Sequence, residues 1–198
     1  MDPLVLSCAA YAAVTTLTPG PNNVSSAAIG MRVGFARTLP YIAGITTGFL
    51  VLMLAAGLLT DLASQVYRGA LPWFRWIGAA YMVWLAVSLF IPSRHESGQS
   101  KGLNAGFRSG LLLQLVNPKV ILYAVTIYSA FHPLLAATPL ALVLSAVSLA
   151  ALGCFSTSLW ALLGHVFSRL LKGRVAMLVF NAVMALLLLL SALSLVLH

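Results

Sequence analysis

The chain has 198 residues, of which 61% are hydrophobic and only 7% charged, with a mean hydropathy of +1.02. A soluble domain carries roughly 25% charged residues, so this chain lacks the polar surface to cover itself in water and reads as an integral membrane protein. Its net charge of +8 sets eleven Lys and Arg against Asp2, Asp61 and Glu96. The cations fall in short loops between apolar runs, which the positive-inside bias explains, so nucleic acid is not an expected partner.

The apolar runs are continuous and rich in Leu and Ala instead of alternating, which argues for transmembrane helices over a β-barrel. Asp2 and the absence of a basic leading region argue against a cleaved signal. Cys8 and Cys154 both fall in apolar runs. Neither a disulfide framework nor a metal site is expected, and no cofactor is implied.

The first apolar segment, Pro3 to about Met31, is interrupted by Thr18-Pro19-Gly20-Pro21-Asn22-Asn23. Each proline lacks an N–H and its ring clashes with the preceding turn, so one continuous helix is not expected here. In hydrocarbon the freed carbonyls are tolerated only inside protein or beside a water-filled cavity. Pro21 suits the first turn of a second half-helix, with Asn22 and Asn23 adding donors and acceptors. Ser7, Tyr11 and Thr15, four apart, predict a polar stripe facing the bundle interior.

A second span is expected over about Thr38 to Thr60, with Gly44 and Gly48 in it, and Gly30 and Gly34 in the exit before it, spaced for close helix packing. The third covers about Trp76 to Ile91, with Trp73 and Trp76 as interfacial anchors. Pro92 to Arg108 reads as a flexible cytoplasmic linker. The fourth span, from about Ser109, holds a second interruption, Gln114-Leu115-Val116-Asn117-Pro118-Lys119. A lysine at that depth costs about 2.5–3.5 kcal/mol on insertion scales and is a functional candidate. The fifth span covers about Pro139 to Phe167, with Ser156 and Thr157 inside it and His165 at its interfacial end. The last, Val175 to Leu197, reads as a packing helix.

The expected fold is therefore all-α, with six transmembrane helices in one domain, residues 1–198. Two inverted three-helix repeats, about 1–91 and 109–198, flank a linker over about 92–108, and the first and fourth helices are broken. With the N-terminus outside, Arg32, Arg37, Arg94, Lys101, Arg108, Arg169, Lys172 and Arg174 lie inside, and only Arg68 and Arg75 outside. Both termini are thus expected on the outer side. Corresponding broken helices in two inverted halves point to a transporter site.

Thr18-Pro-Gly-Pro-Asn22, Trp76-Ile-Gly-Ala-Ala-Tyr81 and Asn117-Pro-Lys119 resemble the motifs of the LysE/RhtB family of bacterial amino-acid exporters. Gly48-Phe-Leu-Val-Leu-Met53, Val120-Ile-Leu-Tyr123 and Trp160-Ala-Leu-Leu-Gly-His165 are similar to its cysteine and O-acetylserine exporter branch. The resemblance implies a multi-pass protein of the bacterial inner membrane that exports a small amino acid, driven by the proton motive force. An amino-acid substrate and membrane lipid are the implied partners, and a homodimer is admitted. Export of threonine, homoserine or a basic amino acid, and a non-transport assembly role, stay open.

The substrate-binding candidates are Thr18, Pro19, Gly20, Pro21, Asn22, Asn23, Gln114, Asn117, Pro118 and Lys119. A zwitterion would set its carboxylate against Lys119 and the helix starting at Pro21. Its ammonium would meet carbonyls exposed around Thr18 to Gly20. An enzyme is not expected, since no Gly-x-Ser-x-Gly, paired metal ligands or intramembrane carboxylate dyad is present.

Overall fold

A computed structural model describes residues 2–59, 105–170 and 174–197, with 73, 76–77, 79–87 and 89–90 between the first two blocks. All regular structure among the described residues is helical. The helices labelled here are α1 (Pro3–Leu17), α2 (Pro21–Val33), α3 (Phe35–Leu58), α4 (Phe107–Val116), α5 (Pro118–Leu135), α6 (Pro139–Leu170) and α7 (Arg174–Leu197). Residues 79–87 form a further helical stretch.

Both interruptions in the sequence break the helix. The axes of α1 and α2 differ by 44°, and those of α4 and α5 by 60°. In each case the second half-helix starts with proline at its first position, where a missing N–H costs nothing. α3 and α6 are each long and apolar enough to cross a membrane, and each bent pair passes the same test taken together. Arg32 and Arg169 lie in the last turns of α2 and α6.

Two seams bring helix backbones into contact, and glycine makes both. A Cβ added to Gly30 of α2 would run into the Ala161 carbonyl of α6, and one on Gly164 of α6 into the Ala27 carbonyl of α2. Between α3 and α4 the pattern repeats, with Gly44 on the Phe107 carbonyl and Gly110 on the Tyr41 carbonyl. Small residues at this spacing let helices approach closely where lipid supplies no hydrophobic drive between them. Gly34 turns the chain from α2 into α3 at φ +85°, where a side chain would be strained, and the His165 ring packs over it.

These contacts put the end of α2, the starts of α3 and α4 and the end of α6 on one side of the breaks. On the other side, Cys8, Ala12, Phe49, Met53, Val120, Tyr123, Leu142 and Ala146 build an apolar cluster from α1, α3, α5 and α6. The two halves of the first broken helix are packed very differently. α2 buries ten of its thirteen residues, whereas α1 buries only Cys8 and Ala12.

Two expectations need correction. Ser7 is exposed and donates to its own Pro3 carbonyl (2.9 Å), so the stripe of Ser7, Tyr11 and Thr15 does not face inward as a unit. α7 is more than a packing helix, because Ser191 and Asn181 donate to the carbonyls of Pro19 and Leu89. Trp73 and Trp76 are exposed, as interfacial anchors require. Asp61, Arg68, Arg75, Gly78, residues 92–104 and Lys172 lie outside the described residues.

Candidate functional site

Asp2 caps α1 by accepting from the Leu4 N–H (2.8 Å), and the helix runs until the prolines deprive it of donors. The carbonyls freed at that end are the ones expected to stay open for a ligand. In the structure they are all occupied. Thr16 O accepts from Asn23 Nδ2 (3.0 Å) and Ser156 Oγ (2.9 Å), and Leu17 O from Trp160 Nε1 (3.3 Å). Thr18 O accepts from Asn23 Nδ2 (2.9 Å), and Pro19 O from Ser191 Oγ (2.7 Å). Gly20 O returns to helical pairing with Val24 N (2.9 Å).

Lys119 supplies the remaining donor. Its ammonium lies 3.1 Å from Thr18 Oγ1, 3.2 Å from Pro19 O and 3.4 Å from Thr18 O. Lysine has three N–H donors, and three acceptors meet it. The charge also sits at the C-terminal end of α1, where the helix dipole favours a cation. Gly20 makes the approach possible, since a Cβ there would lie 3.0 Å from both Cδ and Nζ of the lysine. The carbonyls of Thr18 and Pro19 thus form a site for a primary ammonium, and the chain's own lysine fills it.

The second break is tied to the first through three amides. Asn117 caps α5 by accepting from the Lys119 N–H (3.1 Å), and its Nδ2 donates to Asn22 Oδ1 (2.8 Å). Asn22 Nδ2 in turn donates to Gln114 Oε1. Gln114 and Asn117 are fully buried. Gly48 leaves room for Gln114, as a Cβ there would lie 2.9 Å from the glutamine Cβ.

A cavity of about 40 Å³ adjoins the breaks. That is space for a few waters, so a small amino acid requires it to widen. Thr18, Pro21, Asn22, Asn23, Asn117 and Lys119 line it, whereas Pro19, Gly20, Gln114 and Pro118 stand behind the wall. All ten candidates therefore come together at the level of the two breaks. Asn23 is buried like Gln114 and Asn117, and its amide is committed to Thr16, Thr18 and Ser156. The lining residues Thr16, Thr46, Phe49 and Tyr123 were not among the candidates, nor was Thr157. Tyr123 stood in a recognised motif and Thr157 among the polar residues of its span, but nothing local in the sequence aims either at the breaks.

The chain matches the family model described as LysE type translocator over residues 13–198. It is 36% identical over 171 residues to the cysteine/O-acetylserine efflux protein of Klebsiella pneumoniae subsp. pneumoniae, covering 86% of this chain and 87% of that protein. Proteins of the same name from Shigella flexneri serotype 5b and Escherichia coli strain K12 are each 36% identical over 179 residues, covering 87% of this chain and 88% of each relative. No solved structure matches the chain. A family match across nearly the whole length, together with apolar helices of spanning length, makes this chain a multi-pass membrane protein that belongs to the LysE type translocator family.

Proposed function

We propose that the chain is a secondary transporter exporting a small amino acid, of the cysteine or O-acetylserine kind, from the cytoplasm by alternating access between its two breaks. Membership of a translocator family and the names of the relatives support export of an amino acid over an enzymatic role. The observation that carries the site is the Lys119 ammonium on Thr18 and Pro19. A substrate's α-ammonium has the same three donors and takes the same acceptors. The lysine it displaces then meets the substrate carboxylate beside the start of α2, whose N-cap residue Gly20 offers no side-chain cap.

The reading includes two inverted repeats, about 1–91 and 109–198, flanking a cytoplasmic linker in one transmembrane domain of six spans. Support comes from the second position of each inner half-helix. Asn22 reaches across to Gln114, and Lys119 reaches across to Thr18. The chain would lie in the bacterial inner membrane with both termini outside, so the glycine seams would close the cytoplasmic half. Inward opening then consists of those seams parting.

Purified full-length protein in liposomes, tested for counterflow with labelled cysteine, O-acetylserine, threonine, homoserine and lysine, checks the proposal. Uptake of at least one of the first two is expected. Protein that inserts normally yet moves none of the panel would sink the reading.

A further inference from the structure

Among the described residues, three buried side-chain polar atoms have no hydrogen-bond partner: Ser26 Oγ, Gln114 Nε2 and Tyr123 Oη. Of these residues only Tyr123 lines the cavity. Its side chain is 4% exposed, and Thr16 lies beside the hydroxyl but outside hydrogen-bond geometry. Leaving a buried hydroxyl unsatisfied is costly, so such groups call for an explanation in what they meet during function.

The ring is not free to swing the hydroxyl elsewhere. Tyr11 stacks on it at 5.8 Å and 20°, and Phe49 packs against it at 5.9 Å and 43°. Those two aromatics come from α1 and α3, so three elements fix one phenol in the cavity wall. Tyr123 lies one helical turn beyond Lys119 on α5, on the same face. A substrate whose α-amino and carboxylate groups sit at Thr18, Pro19 and Lys119 therefore has Tyr123 within reach of its side chain.

We propose that the Tyr123 hydroxyl reads the substrate side chain, selecting small amino acids with a hydrogen-bonding atom on a short chain over hydrocarbon isosteres of equal size. This rests on the exporter reading above. The hydroxyl donates to an acceptor such as an ester carbonyl, while an apolar isostere leaves it unpaired. Discrimination by a site built to bond a polar group is strong for that reason.

The test uses full-length protein in liposomes and whichever labelled amino acid the wild type transports. Inhibition by O-acetylserine is compared with that by its apolar counterpart in size, homoleucine, which replaces the ester by hydrocarbon. Tyr123→Phe keeps the ring, its stacking and its volume. The wild type should favour O-acetylserine by about tenfold, and the variant should shrink that preference about three- to tenfold by weakening O-acetylserine alone. The melting temperature of the variant without substrate should stay level or rise, because an unsatisfied buried group has been removed. An unchanged preference in Tyr123→Phe, or a wild type that does not prefer O-acetylserine, would overturn this inference and leave the exporter reading intact. A wild type that moves no amino acid overturns both.

Discussion

Asn22 and Lys119 occupy the same position in their half-helices, the second residue of the helix and directly after the proline that starts it. Each reaches across to the other break, Asn22 to Gln114 and Lys119 to Thr18. Two polar crossings of opposite direction therefore hold the breaks together, and they differ in kind. The first is an amide tie from half-buried Asn22 to the buried amides of Gln114 and Asn117; the second is a charge on backbone carbonyls.

The amide tie should be structural. Asn22→Ala strips Gln114 Oε1 and Asn117 Nδ2 of their shared partner, and both residues are fully buried. Stranding a buried polar group costs about 1–3 kcal/mol, so melting in detergent should fall by several degrees. A melting temperature equal to that of the parent would mean the tie contributes nothing.

The charged crossing should be functional. Lys119→Met removes the ammonium but leaves Thr18 O paired with Asn23 and Pro19 O with Ser191. The break therefore keeps a donor at each carbonyl, and an apolar side chain inserts more readily than lysine. Normal membrane levels with export lost are expected, measured by counterflow against a quantified blot. Lys119→Arg keeps the charge in a larger planar group and should retain partial activity. Full export by Lys119→Met at unchanged apparent affinity would remove the lysine from the site.

The seams make a steric prediction independent of function. Gly164→Ala sets a methyl against the Ala27 carbonyl, where backbone must move, and overpacking of this kind costs about 1–3 kcal/mol. Gly153→Ala on the same helix meets only Phe49 side-chain atoms, the nearest at 3.6 Å. Detergent melting should drop for Gly164→Ala and hold for Gly153→Ala. Equal behaviour of the two would contradict the close crossing.

Sidedness can be read with single cysteines in a background lacking Cys8 and Cys154. A cysteine replacing Thr138, just before α6, should react with an impermeant reagent from outside. One replacing Ser100 should react only after permeabilisation. The reverse pattern would invert the orientation and put the glycine seams on the outer face.

The breaks were legible because each sets proline beside asparagine within an apolar run, and that proline starts the second half-helix; a lone proline does not end a helix, since Pro40 sits inside α3. The donors that mend the first break were not. A hydroxyl in an apolar span is most simply satisfied by the carbonyl one turn back, as Thr46 does with Ile42 and Thr47 with Ala43. Ser156 instead reaches Thr16, and Ser191 bonds both its own turn at Leu187 and Pro19 across the bundle. Nothing local in the sequence separates these cases, since the difference lies in which helix is the neighbour. Ser7 shows the converse, a regular polar spacing that ends in a local bond. Lys119 was legible as an expensive residue, but its partners had to come from the fold.

The lysine that sits on Thr18 and Pro19 also sets how the transporter would respond to concentration. On the exporter reading, an incoming ammonium competes with one tethered to the same site, and tethering raises the local concentration of the rival to the order of millimolar or above. Substrate at trace levels loses that contest and the carrier idles. Substrate in surplus wins it, so a resident side chain raises the concentration at which the carrier is half-saturated and fits it to relieve a surplus instead of draining a trace.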